Sequence, residues 1–328
     1  MLKVGLLGAG RIGQVHAVNI AGNSRSSLVA VADAHAPAAA TLAAQYGCEA
    51  RSSAEIVSDP NIDAVLIATS TDTHVDFIEA AAKAGKAVLC EKPVDLSLER
   101  AQQCLIATKD MGSPIMIGFN RRFDPSFAAL RAQSARGEIG KSELLSLTSF
   151  DPAPPPVSYI KVSGGLFRDM MIHDFDMANF LMDDRPVSIR AVGTSQVSEE
   201  IGLAGDVDTA VVTMTYADGR IAVIKNSRRA VYGYDQRIEL LGSYGLLQAH
   251  NILENSVVKS TVEGVVSGKP VHFFLERYMP AYAAEWEAFV TAVIDKTPMP
   301  ITLEDGVAAL AMAEAATLSA QTGQLVDV

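Results

Sequence analysis

The sequence predicts an α/β chain of two domains: an N-terminal doubly wound parallel sheet, then an α+β domain built on a large, mainly antiparallel open sheet. Three observations carry this. Between residues 3 and about 119, short β-branched runs alternate with alanine-rich helical stretches, the pattern of a parallel sheet covered by helices on both faces. After Arg136 the segments lengthen and alternate apolar with polar residues, as antiparallel strands with one covered face require. The length of 328 residues suits about two domains. The expected division is 1–120 and 121–328, with the C-terminal helix able to return to the first domain.

The parallel strands are expected in "KVGLLG", "SLVAVAD", "DAVLIAT", "KAVLCEK" and "PIMIGF". In the second domain the alternating segments are "SELLSLTSF", "TAVVTMTYADGRIAVIKNS" and "DQRIELLGSYGLLQAHN", with turns at Asp218-Gly219 and Gly242 to Gly245. "DPAPPP" at 151–156 reads as a stiff loop leaving a strand. Helical patterns cover 164–181, 280–296 and 303–321, and there is no internal repeat. Alternating positions such as Val211, Thr213, Thr215, Ile221, Val223 and Lys225 mark one sheet face without saying what covers it.

A composition of 49% hydrophobic and 20% charged residues is that of a soluble globular chain. The net charge of −11 supplies no basic patch for a phosphate backbone, so no nucleic-acid partner is expected. No apolar segment approaches the ~20 residues needed to cross a bilayer, and the N-terminus has no cleavable signal pattern; no membrane partner and a cytoplasmic location are expected. Cys48, Cys90 and Cys104 lack C-x-x-C spacing, and the six histidines lack ligand spacing. The cysteines are expected to be reduced and buried, and no metal is expected.

"GAGRIG" places Gly8, Gly10 and Gly13 in G-x-G-x-x-G spacing, with Arg11 and Ile12 in the same turn, after the first strand and opening a helix. Such glycines let a pyrophosphate approach the helix N-terminus, whose free N–H groups favour negative charge. Asp33 ends the second strand 20 residues after Gly13 (33 − 13), where a ribose-binding acid belongs. It would repel a 2′-phosphate, and Ala34 offers no compensating cation. The prediction is a Rossmann domain binding NAD in preference to NADP. "ATSTDTH" adds Thr69, Ser70 and Thr71 at the end of the fourth strand; Thr71 or Asp72 also suits a helix cap. His74 can face the nicotinamide or pack in the first helical turn. "CEKP" ends the fifth strand, adding Glu91 and Lys92 to the cofactor-binding set.

"GGLFRDMMIHDFDMANFL", residues 164–181, reads as one apolar helix with Leu166, Phe167, Met170, Met171, Met177, Ala178 and Leu181 on its broad face. Asp169, His173 and Asp176 form a polar flank, which suits either a solvated border with a stabilising pair or a reactive pair. Asp174 falls on the apolar face, where an unpaired charge would be costly, so a structural hydrogen bond is expected there.

Together "GAGRIG", "EKP" and the D-x-x-x-H of "RDMMIHDFD" resemble the glucose-fructose oxidoreductase, inositol dehydrogenase and MocA (Gfo/Idh/MocA) family over essentially the whole chain. "GFNRRFDPSF", "RDMMIHDFDMANFL" and "YGYDQRIELLGS" look like its bacterial inositol 2-dehydrogenases in particular. The resemblance implies Lys92, Asp169 and His173 as the catalytic group, with Arg121, Asp151 and Tyr234 joining them around a polyol substrate. Arg121 could equally be a surface cation, and Asp151 stands where some inositol dehydrogenases carry asparagine. The resemblance also implies a cis peptide before Pro93, a homotetramer formed through the open sheet, and NAD-dependent oxidation of myo-inositol to 2-keto-myo-inositol. Alternatives are scyllo-inositol, another inositol isomer or a pyranose as substrate, or a non-catalytic nucleotide-binding sensor. In the expected reaction His173 is the base, Asp169 orients it, and Lys92 stabilises the developing alkoxide.

Overall fold

The computed structural model describes residues 1–328, which form two compact units: Met1–Phe123 with Pro280–Leu310, and Asp124–Met279 with Ala311–Val328.

The first unit contains strands β1 (Leu2–Leu7), β2 (Ser26–Ala32), β3 (Glu49–Ala50), β4 (Ala64–Ile67), β5 (Ala87–Glu91) and β6 (Ile115–Gly118). Their order is β3-β2-β1-β4-β5-β6 and every pair is parallel. Strands β4 and β5 are buried at every residue, which is why they read as unbroken apolar runs rather than alternating ones. The order reverses between β2 and β4 around β1, which opens a crevice at the carboxyl ends of these strands. Helix Ser53–Ser58 begins with a reciprocal cap between Ser52 and Glu55. The chain returns to this unit with Trp286, whose indole Nε1 donates to Ser26 Oγ at 3.0 Å in a buried contact.

The second unit contains β7 (Ser142–Phe150), β8 (Ser188–Thr194), β9 (Thr209–Thr215), β10 (Ile221–Ser227), β11 (Asp235–Gly242), β12 (Gly245–Ala249), a hairpin of β13 (Val258–Thr261) and β14 (Gly264–Ser267), and β15 (Val326–Asp327). The large sheet has the order β12-β11-β7-β10-β9-β8-β15. Only the β7–β10 pair is parallel. The turns at Asp218-Gly219 and Gly242 to Gly245 close β9 onto β10 and β11 onto β12. Ala210, Val212, Met214, Ala222, Ile224 and Asn226 point to the buried face, while Val211, Thr213, Thr215 and Ile221 are exposed.

Residues 164–181 are not one helix. Helix Gly165–Asp169 stops and helix Ile172–Met182 starts after Met171. At the join Met171 N–H donates to Leu166 O, a five-residue span that widens the turn, and Asp174 N–H then donates to Met171 O, a three-residue span that tightens it. The apolar set expected from the sequence is buried, but so is Asp176, so the flank is no solvated border. The penultimate helix, Phe274–Asp295, starts before the expected 280 and contains Pro280 in its interior. All three cysteines are free thiols, and Cys48 is half-buried rather than buried. No helix is long and apolar enough to cross a membrane.

Candidate active site

In the first unit, the glycine loop is shaped by side chains that could not be there. Gly8 has φ of +102°, and a Cβ on it would strike Ala68 O; a Cβ on Gly13 would strike the Gly8 carbonyl oxygen. Gly10 faces open space and begins helix Arg11–Gly22, which has no side-chain cap and no acidic residue in its first turn. Its N–H groups are therefore left for an anion. Arg11 is exposed and Ile12 half-buried beside them. Asp33 accepts the Ala9 N–H at 2.6 Å and the His35 N–H at 2.7 Å, which fixes the carboxylate at the end of β2 beside the loop. These features fit a dinucleotide: pyrophosphate at Gly10 and the helix start, ribose hydroxyls at Asp33.

The ends of β4 and β5 continue this edge. Thr69 Oγ1 lies 2.7 Å from Thr73 Oγ1, which donates to Ser70 O, and residues Thr71–Thr73 form a short 3₁₀ turn. His74 is buried, with Nδ1 2.8 Å from Pro93 O and Nε2 3.2 Å from Thr69 O. Burial pushes its pKa down, while the two carbonyl oxygens that face its ring nitrogens push the other way. His74 thus ties the β4 end to the turn after Lys92. The Lys92–Pro93 peptide is cis, Lys92 is half-buried, and its N–H donates to Glu91 Oε2 at 3.3 Å. Arg121 is buried, which removes the surface-cation alternative.

In the second unit, the break at Met170–Met171 puts Asp169 at the end of one helix and His173 in the first turn of the next, both half-buried. Tyr159 donates its hydroxyl to Asp169 Oδ1 at 3.0 Å, and the buried Arg228 guanidinium lies 3.8 Å from Asp169 Oδ2 and from Asp206 Oδ2. The Asp151 N–H donates to Ser227 O and its carbonyl accepts from Ala230 N–H, which ties Asp151 to the segment that carries Arg228. Tyr234 is buried with its ring edge-on to Tyr278, centroids 5.9 Å apart.

Asp174 has the structural hydrogen bonds its position requires. Ser149 Oγ donates to Oδ1 at 2.6 Å and Asn226 Nδ2 to Oδ2 at 2.9 Å, all three residues being buried. The Gln236 amide lies 3.0 Å from the same serine oxygen and 3.4 Å from Tyr278 OH, which extends the network toward Tyr234. This network anchors the helix that carries His173.

Sequence reasoning missed Arg228, Tyr159, Ser149 and Gln236. A signal existed for Arg228: the period-2 pattern that buries Ala222, Ile224 and Asn226 continues to it and puts a cation on the covered face. None marked Tyr159, which is exposed and reaches Asp169 from a separate helix, Val157–Ser163.

A model of the oxidoreductase family with an NAD-binding Rossmann fold matches residues 2–119, and one of the GFO/IDH/MocA C-terminal domain matches residues 127–248. The inositol 2-dehydrogenase of Rhizobium meliloti (strain 1021) is 50% identical over 97% of this chain and 96% of its own. The crystal structure of a myo-inositol dehydrogenase from Corynebacterium glutamicum ATCC 13032 superposes with a TM-score of 0.96 at 45% identity, covering 100% of this chain and 99% of that one. A scyllo-inositol dehydrogenase from Lactobacillus casei, solved with bound NAD(H) and scyllo-inositol, superposes with a TM-score of 0.92 at 29% identity over 100% and 99%. The chain therefore belongs to the GFO/IDH/MocA oxidoreductase family, and its first unit is the family's NAD-binding Rossmann domain.

Proposed function

We propose that the protein is an NAD-dependent inositol 2-dehydrogenase that oxidises myo-inositol at a secondary alcohol to 2-keto-myo-inositol. The observation that carries this reading is the Asp169–His173 segment, in which Tyr159 and Arg228 hold the carboxylate one turn from an imidazole. The likeness to inositol dehydrogenases over nearly the whole chain supports the substrate class.

Bound NAD supplies the hydride acceptor, C4 of its nicotinamide. His173 takes the hydroxyl proton as general base while hydride leaves the same carbon and the C–O bond becomes a carbonyl. Asp169, with the Arg228 guanidinium 3.8 Å from its Oδ2, orients the ring and stabilises the imidazolium that forms. The Lys92 ammonium stabilises the negative charge that grows on the oxygen as its proton departs. Arg121, Asp151 and Tyr234 hydrogen-bond the remaining hydroxyls, which fixes the ring so that one carbon presents its hydrogen. Glu91, His74 and the residues 69–71 hold the cofactor edge.

The protein works in the cytoplasm as a homotetramer in this reading. Val192, Val211, Ile221 and Leu246, exposed on the outer face of the seven-stranded sheet, support burial of that face between copies. Light scattering on the purified protein tests it; a monomer would remove the assembly from the reading.

The test of function is NADH formation across myo-inositol, scyllo-inositol, D-chiro-inositol and glucose, with NAD and NADP in parallel. A clear preference for myo-inositol with NAD is expected. Activity confined to scyllo-inositol would move this chain's specificity toward that of the Lactobacillus casei relative, whose bound ligand is scyllo-inositol. NAD binding without turnover of any of them would favour a sensor.

A further inference from the structure

Glu285 is a buried carboxyl that the proposed reaction does not use. It lies in helix Phe274–Asp295, in the part belonging to the first unit; it is fully buried and neither carboxyl oxygen has a hydrogen-bond partner. Tyr282 precedes it by three residues on the same side of the helix and sets its ring edge-on to His16, centroids 5.6 Å apart. His16, also fully buried, follows the glycine loop; its Nε2 lies 2.7 Å from Glu91 Oε1, and its Nδ1 has no hydrogen-bond partner. Glu91 in turn accepts the Lys92 N–H. Tyr282, on the same side of the helix as Glu285, thus meets the His16–Glu91 pair, and the Glu91 charge acts on Glu285.

Two carboxyls share this interior, and their surroundings are unequal. Glu91 has two donors, the His16 ring and the Lys92 N–H, whereas Glu285 has none. A buried anion without donors beside a second anion is costly, so the proton belongs on the carboxyl that lacks partners. Burial and the neighbouring Glu91 charge both push Glu285 up from the usual carboxyl range.

We propose that Glu285 is held as a neutral carboxylic acid, so that His16 and Glu285 are positioning residues for Glu91 and, through it, for the backbone of Lys92. The consequence for turnover rests on the catalytic role proposed above for Lys92. Ionising Glu285 would repel Glu91 and loosen its hold on the Lys92 N–H. The sign follows from linkage: stability from the neutral acid is full below the ordinary carboxyl range and is lost as pH rises toward the raised folded value.

The experiment compares the wild type with E285Q, the isostere of the neutral acid, across neutral to alkaline pH. The wild type should show an infrared carbonyl stretch of a protonated carboxylic acid that E285Q lacks. At neutral pH, E285Q should keep kcat and KM within about twofold, since general positioning is unchanged when no charge changes. With rising pH it should gain in Tm and in retained kcat relative to the wild type. H16A, which removes one donor from Glu91, should lower kcat severalfold while KM moves little. A missing infrared band, an E285Q chain that fails to fold, or an E285Q/wild-type ratio flat with pH would overturn the proposal. K92A separates the two readings: full turnover in K92A with the band intact would remove Lys92 from catalysis and leave the protonated Glu285 standing.

Discussion

The edge of the parallel sheet and the kinked helix of the second unit present functional groups by opposite means. At the glycine loop the groups are backbone N–H donors, and the shape comes from absent side chains at Gly8 and Gly13. At Asp169 and His173 they are side chains, placed by Tyr159, Arg228, Ser149 and Asn226 from four other elements or loops. A site built from backbone concentrates its requirement in a few spaced residues, whereas one built from side chains distributes it over contacts remote in sequence. Damage should therefore be abrupt at the loop and graded in the network, apart from the groups that react.

The largest effect is expected at a reacting group. His173→Ala should lower turnover by about 10²–10⁴-fold with NAD binding nearly intact, because a general base is worth that much; single-turnover kinetics beside cofactor titration checks it, and near-normal turnover would remove His173 from the mechanism. Asp174→Ala strips the acceptor from Ser149 and Asn226 in a buried site and should cost about 3 kcal/mol of stability, read as a drop in the urea midpoint. An unchanged midpoint would show that the network does not anchor the His173 helix. Asp33→Ala should lower the preference for NAD over NADP by about tenfold or more, since it removes the charge that repels a 2′-phosphate. Equal preferences before and after would break the ribose assignment.

The smallest effect concerns pH. Burial lowers the pKa of His74, so the unfolded chain binds the extra proton first. The stability tied to His74 is full above about pH 6.5 and is lost as pH falls from there toward its folded value. His74→Asn should flatten that part of a Tm-against-pH curve, while an unaltered slope would assign the acid sensitivity to other groups.

The cofactor half was legible because its requirements are local. Gly8, Gly10, Gly13 and Asp33 lie within one strand–helix–strand unit, and each residue type answers a steric or charge need visible in the spacing. On the other half, Asp169 and His173 could be picked out only as an oddly polar flank and through the family motif. The sequence pattern suggested a continuous helix there, because the residues of the break, Met170 and Met171, are apolar and helical by preference. The widened turn is a tertiary outcome, as is the burial of Asp176. Asp174 was the exception: a charge on an apolar face demanded partners, though only the fold could say they were Ser149 and Asn226.

The return of residues 280–310 to the first unit also orders events in time. On a ribosome, the glycine loop and all six parallel strands emerge long before the segment that seats Trp286 against Ser26, 260 residues away. Until that segment arrives, Ser26 lacks the indole and His16 lacks Tyr282, so the nascent first unit exposes a surface it later buries. Because Trp286 is the sole tryptophan of the chain, its fluorescence in a refolding experiment follows the burial of this segment.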